Sequence, residues 1–404
     1  MILLLKSLKL IIKFLIHRLL IMLRIRDYIN TSHYYQIYQS NNLHTFFGYY
    51  DKTPFSKNCE ILLAIVSDKK NSPIKEPCVA HIGYFNISDP TKFIPVGETT
   101  TWCWQLGARL MWYGEKHNLI IYNKQINNGY GSLIQKIDDN KIIKEFNFPI
   151  YDVDKNAEFG LTLNFSRLGR LRPGYGYINF PDSTVGQSYP SDDGIWICDL
   201  KTNTKELIID LESVVNFEFD NNSLDTEHYI NHLSFNPSGN RFLFFHVWNN
   251  NGKRFARAIT SDVHGNNLFQ LNEGRTVSHY TWKNDNELLM TGYGKSGFGY
   301  YLFRDLSNQI KPVGNEILKS DGHPSYLNGG NIITDTYPER PFNDQQILNY
   351  NLNGELSSIA QIHSSFFNQG EYKCDLHPRC NADYSKVAVD FCSQDRRKIA
   401  VFTI

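Results

Sequence analysis

The chain has 404 residues, 41% of them hydrophobic and 14% aromatic, enough for a large core and too many for an extended disordered polymer. Its 41 Lys and Arg balance its 41 Asp and Glu, so net charge offers no attraction for nucleic acid. Tyr, Phe, Asn and Ile are plentiful and helical periodicity is scarce after residue 30, which points to an all-β body.

The first 30 residues differ in kind. They carry Lys6, Lys9, Lys13, Arg18, Arg24 and Arg26, with no acid before Asp27. A cation every few residues interrupts the apolar runs and leaves no uncharged stretch of about 18 residues to span a bilayer. The single apolar block and small-residue cleavage site of a signal peptide are also missing. The expectation is a basic amphipathic helix over 1–30 that lies on an anionic leaflet through residues 1–26, its cations snorkelling outward. Packing on the body or on a partner protein is the plainer alternative. The seven cysteines (59, 78, 103, 198, 374, 380 and 392) are odd in number and match no disulfide or zinc-knuckle spacing. They read as reduced, mostly buried thiols in a cytoplasmic protein, peripheral on the inner face of the cell membrane. Cys374 and Cys380 flank His377, but without the CxxC spacing of structural zinc.

From residue 31 to 404 one phrase recurs: a short strand, a polar turn, then a strongly apolar strand. Copies fall at 53–68 ("TPFSKNCEILLAIVSD"), at 106–123 and, degenerate and with an insertion, at 161–180. Four more follow, each preceded by a histidine: "NHLSFNPSGNRFLFFH" (His232), "SHYTWKNDNELLMTG" (His279), "GHPSYLNGGNIITDTYP" (His323) and "LHPRCNADYSKVAVDF" (His377). Seven copies at this spacing predict a seven-bladed β-propeller. Residues 192–210 read as two strands about a "KTNT" turn, the outer half of a blade. The last strand, 397–404, ends the chain, so the seventh blade needs an outermost strand, which "HYYQIY" (33–38) would supply. A pair of β-sandwiches fits seven similar units less well.

In a propeller the innermost strand of each blade lines the axis, so four histidines at one point of the repeat are expected to converge there. A single such histidine would more simply bond to a turn backbone. His279, His323 and His377, with Asp375 and Glu371 nearby, form a set suited to a divalent metal, Mn²⁺ before Zn²⁺ or Fe²⁺. Asp375 and His377 alternate, so an extended strand would point both to one side. His232, one blade away, is placed to act as a metal-free base. A second spot, "FSRLGRLRPGYGY", packs Arg167, Arg170 and Arg172 into a Gly/Pro/Tyr loop with Tyr175 and Tyr177, a pattern for gripping a carboxylate and stacking on a sugar. A solvated basic loop is the bland reading. Two aromatic turns, one with Tyr49, Tyr50, Asp51 and Lys52 and one with Trp102, Trp104 and Gln105, suit either carbohydrate contact or blade packing. The expected contact residues are His44, Tyr50, Lys52, Trp104, Gln105, Tyr175 and Arg379. Phosphate-binding glycine loops, GxSxG elbows, HExxH helices and Rossmann fingerprints are missing.

The order of these phrases resembles the oligogalacturonate lyase family, seven-bladed propellers that use a metal, over most of residues 44–404. "HTFFGYYDKTPFS" is similar to that family's first-blade opening, with His44 and Lys52 in the same order. "SHYTW" resembles its metal-ligand phrase at His279. "DLHPRC" resembles its "HPHPSF" phrase, so Asp375 and His377 fall on two further ligand positions. Asp375 stands where the family has histidine, Tyr372 at about the place of its glutamine ligand, and His232 at its base. "GYYDKTPF" and "DLHPR" also look like propellers found with bacterial capsule and O-antigen assembly proteins. The resemblance implies β-elimination at a uronic acid. Metal and arginine (Arg167, Arg170 or Arg172) would neutralise the carboxylate while His232 removes the neighbouring proton. The implied partner is an acidic oligosaccharide or polysaccharide. The basic N-terminal segment favours another reading: a membrane-associated glycosyltransferase without the usual nucleotide-sugar motifs, or a glycan-binding scaffold, in capsule or O-antigen biosynthesis. A purely structural interaction propeller fits the four histidines least.

Overall fold

The structure is a computed structural model. It describes residues 11–13, 15, 16, 19 and 29–404, apart from 116, 219–224, 273–275, 295, 315, 316, 328, 341 and 365–368. The helix expected over 1–30 therefore lies mostly outside the described residues. Within it, Ile11, Ile12, Leu15, Ile16 and Leu19 are helical and exposed. Among the described residues, no helix is long and apolar enough to cross a membrane.

The body is a seven-bladed β-propeller, each blade an antiparallel sheet of four strands except the sixth, which has five. The phrase seen in the sequence is the inner half of a blade. Its polar turn is built by a residue that caps the turn with its own side chain. Asn236 Oδ1 accepts from the backbone N–H of Asn240 and Arg241 at 3.1 and 3.2 Å. Asn381 Oδ1 accepts from Lys386 N, Ser56 Oγ from Glu60 N and Ile61 N, and Asp154 from Asn156, Glu158 and Phe159 N. Such local bonds stop one strand and start the next. The following strand is sandwiched between neighbouring blades and so reads as continuously apolar: Ile61–Ser67 in blade one and Arg241–Asn250 in blade four.

Blade seven closes the ring. Its chain-terminal strand Arg396–Thr403 pairs with Tyr35–Tyr38, Tyr35 opposite Phe402 and Tyr38 opposite Ile399. The N-terminal chain thus supplies the outermost strand expected at 33–38, and just before it Ile29–Asn30 adds a fifth strand to blade six. Residues 192–210 form Gly194–Asp199 and Thr204–Asp210, the outer half of blade three.

Blade three differs from expectation. Its inner phrase is Asp152–Val153 and Phe159–Leu163, so the copy placed at 161–180 is displaced. The basic stretch expected as a loop begins as a helix, Phe165–Leu171, because Asn164 caps it by accepting from Arg167 N. This insertion sits on the face where the chain runs into the innermost strands, called the upper face below.

Candidate functional site

His228–Phe235, Val277–Asn284, Ser325–Tyr326 and Arg379–Cys380 are the innermost strands of blades four to seven. The four histidines lie on these strands or just ahead of them, and all are buried. The His279 and His323 ring centroids are 4.1 Å apart, and those of His323 and His377 are 4.3 Å apart. His232 has φ +57° at a break in register between Asn231 and Ser234, and His377 has φ +48°. Left-handed backbone at a non-glycine residue is costly, and at a bulge it re-aims a side chain. Asp375 and His377 lie ahead of the short strand Arg379–Cys380, so a turned backbone rather than strand alternation brings them together.

Each imidazole of the closest group is held by one nitrogen. His323 Nδ1 donates to Asp335 at 2.9 Å, and the same carboxylate accepts from His323 N at 2.7 Å and His377 N at 3.1 Å. His377 Nδ1 donates to the Gly48 carbonyl at 2.9 Å. His279 Nδ1 donates to Asp321 at 3.0 Å, which also accepts from Ser278 and Thr291. Because carbonyls and carboxylates only accept, the protons of His323 and His377 sit on Nδ1. Their Nε2 lone pairs are buried with no partner. Ligand atoms of His323, Asp375 and His377 all lie within 4.8 Å of one another.

Charge completes the arrangement. Burial would raise Asp375, but Lys373 Nζ, 2.7 Å from Oδ2, outweighs it and holds the acid below its ordinary value. Burial alone would likewise raise Asp321, and His279 holds it low. Burial and the Arg172 guanidinium keep His232 well below its usual value, and burial and His323 do the same for His377. Both are neutral imidazoles at physiological pH.

Tyr49 and Tyr50 form the floor. The Tyr49 ring stacks on His232 at 5.3 Å and meets His377 edge-on at 4.9 Å. The Tyr50 hydroxyl donates to Tyr280 O and accepts from Tyr280 N, both at 2.8 Å, crossing the axis from blade one to blade five. A glycine must precede these tyrosines, since Gly48 has φ +127° and a Cβ there would lie 3.0 Å from Leu106 O. On the upper face, two of the four histidines, His232 and His279, line a cavity of about 160 Å³ together with Arg172, Asn231, Arg254, Asp321, Tyr337 and Lys373, among others.

The remaining expected residues divide. Arg172 reaches the cavity, its guanidinium 4.1 Å above the Tyr175 ring, which in turn meets Tyr49 and His232 edge-on. Arg167 and Arg170, expected as electrophiles at the same site, are committed elsewhere. Arg167 is fully buried and donates to the carbonyls of His228, Thr184, Gln187 and Ser188 and to the Thr184 hydroxyl. Arg170 pairs with Asp182 and Glu227. Five expected contact residues serve the framework. His44 accepts from Arg397 N and lies edge-on to Trp104, whose indole donates to Ser72 O. Lys52 pairs with Asp152 and lines a different pocket, at the turns that leave the innermost strands of blades two and three on the lower face. Arg379 donates to His377 O at 2.6 Å and pairs with Asp390. Gln105 donates to the carbonyls of Glu371 and Lys373, stitching the wall of the cavity. Beside it Gly174 passes so close that a Cβ would lie 2.8 Å from Glu371 O, and both residues line a neighbouring pocket.

Sequence reasoning missed Asp321, Asp335, Tyr337 and Lys373. Lys373 alternates with Asp375 and His377, the same signal that picked those two out. Asp321 and Asp335 bracket His323 in the blade-six phrase.

The sequence matches no protein-family model and no curated protein. Solved structures do match. The chain superposes on oligogalacturonate lyase from Vibrio parahaemolyticus with a TM-score of 0.64 at 10% identity, covering 93% of this chain and 98% of that one. An oligogalacturonate lyase in complex with manganese gives 0.64 at 12%, covering 93% and 97%. The tricorn protease gives 0.54 at 12%, over 93% of this chain but 34% of that one. The likeness is one of fold. At such identity the seven-bladed architecture is shared, and the chemistry rests on this chain's own residues.

Proposed function

We propose that the upper-face cavity is the active site of a metal-dependent, glycan-active enzyme that cleaves a uronic acid-containing saccharide by β-elimination. The observation that carries this is the pair of buried, unpartnered Nε2 atoms on His323 and His377 beside the Asp375 carboxylate. Lone pairs withheld from water and from every donor are what a divalent ion needs, and Asp335 and the Gly48 carbonyl supply the orienting contacts typical of ligating histidines. His323, Asp375 and His377 would hold the ion, with His279 beside them. The mixed imidazole and carboxylate set suits Mn²⁺ first, with Zn²⁺ and Fe²⁺ as further candidates. The manganese in the oligogalacturonate lyase of like fold agrees with this choice.

When bound, the ion would supply Lewis-acid polarisation of a substrate carboxylate. The residues of the chain account for the rest. The Arg172 guanidinium faces the cavity and binds the carboxylate of an acidic sugar. The neutral His232 takes the proton alpha to that carboxylate. Tyr49 and Tyr50 seal the floor and exclude water from below. Metal content of protein isolated without chelator, compared with His323→Ala and His377→Ala, tests the site. Ultraviolet absorbance of the unsaturated uronate product tests the reaction. Stoichiometric metal in the wild type only, together with product from an acidic oligosaccharide, is expected. A metal-free wild type that is inactive with added Mn²⁺ would remove the proposal.

A role in bacterial surface-polysaccharide assembly, at the inner face of the membrane, belongs to the same proposal. Its support is the six cations without an acid in residues 1–26. Co-sedimentation with anionic vesicles, lost on deleting those residues, is the expected result. Equal binding by the truncated chain would count against it.

A further inference from the structure

Eliminating a sugar alkoxide needs an acid as well as a base, because the departing oxygen is a poor leaving group until it is protonated. One side chain of the cavity is free to supply that proton. Among the described residues Tyr337, just beyond the second strand of blade six, is the single tyrosine lining the cavity, and its hydroxyl has no hydrogen-bond partner among them. Its ring lies 5.7 Å from that of His323 and 6.3 Å from that of His279. Lys373 Nζ sits 4.7 Å over the ring centroid, pinned there by Asp375. Of the two phenols on the floor, Tyr50 spends its hydroxyl on both backbone groups of Tyr280, and Tyr49 directs its own toward His232.

We infer that Tyr337 is the catalytic acid, resting on the elimination reading above, and that it protonates the leaving oxygen on the side of the cavity opposite His232. The step balances within the site. An imidazole nitrogen of His232 takes the C5 proton, and the C5–H electron pair becomes the C4–C5 double bond. The C4–O4 bond breaks toward oxygen, and O4 takes the phenolic proton of Tyr337. The phenolate left behind lies under the Lys373 ammonium, a cation placed over the ring whose charge develops. Proton exchange with solvent then restores the phenol and the neutral imidazole. Acid and base stand on blades six and four, with His279 of blade five between them. A scissile bond spanning the cavity would be reached from both ends.

The test is the Tyr337→Phe variant, whose fold should be intact because the lost hydroxyl bonds to none of the described residues. Two probes are used: an unsubstituted uronate oligosaccharide, and a uronate bearing 4-nitrophenolate at C4, which departs without protonation. Tyr337→Phe should lose roughly 10²–10⁴-fold in kcat on the oligosaccharide and little on the aryl substrate. His232→Ala should lose on both. Equal losses of Tyr337→Phe on the two probes, or no loss on the oligosaccharide, would overturn the assignment while leaving the elimination reading in place. A wild type that eliminates neither probe would sink both together.

Discussion

Asp335 carries the sharpest test of how the histidine group is built. Its carboxylate is 1% exposed and accepts three N–H groups, two from His323 and one from His377. It thus fixes two imidazoles on adjacent blades at once. Asp335→Asn keeps the shape but presents one acceptor oxygen and an NH₂ group to three donors. At least one N–H loses its partner. Hydrogen bonds to charged acceptors contribute about 1.5–3 kcal/mol each, and a stranded buried donor costs a comparable amount. A loss of about 2–4 kcal/mol in unfolding free energy is expected for the metal-free protein. The amide also ceases to hold the His323 proton on Nδ1, so Mn²⁺ affinity should fall about 10–100-fold, the usual effect of removing a ligand's orienting partner. Denaturant titration of the metal-free chain gives the first quantity and calorimetric Mn²⁺ titration the second. Full stability loss with wild-type Mn²⁺ affinity would refute the reasoning, because Asp335 would then brace the blades without orienting a ligand.

Two further outcomes follow from the site's surroundings. Arg172→Ala should lower kcat/KM on an acidic saccharide about 10–100-fold, the equivalent of one charge-assisted hydrogen bond. Arg170→Ala should leave kcat/KM unchanged, since its partners lie outside the cavity, while lowering stability by about 1–3 kcal/mol because it strands the buried Asp182 carboxylate; equal losses of kcat/KM in the two variants would contradict this division of roles. Acid should destabilise the fold through histidines buried as neutral rings. Burial, with the Arg397 charge, pushes His44 down to about 3, and burial beside Arg257 holds His246 well below its usual range. Their folded values lie below the unfolded one, so this stability is complete above about pH 6.5 and drains away as pH falls toward 3. The slope is up to about 1.4 kcal/mol per unit for each histidine. A urea midpoint that stayed flat between about pH 7 and pH 5 would contradict that sign.

The blades were legible because what makes them is local. Asn236, Asn381, Ser56 and Asp154 each cap their turn within about five residues, so the same short phrase had to recur in the sequence. The closing strand was legible because "HYYQIY" has the aromatic and β-branched make-up of a strand, and it pairs with Arg396–Thr403 as the outermost strand of blade seven. The site was less so, because its geometry is set by contacts no local pattern records. The His377 proton is fixed by a carbonyl at Gly48, 329 residues away. The Tyr50 hydroxyl anchors on blade five. Arg167 and Arg172 stand on one short stretch, yet a helix capped by Asn164 turns the first into the framework and releases the second into the cavity. His232 and His377 both depend on left-handed backbone, which side-chain alternation does not foresee. Residues 47–53 connect these pieces. Gly48 holds His377, Tyr49 and Tyr50 floor the histidines, Asp51 pairs with the buried Arg109, and Lys52 pairs with Asp152. This blade-one segment reaches all six other blades, so the histidines on blades four to seven are aligned by a stretch that carries none of them.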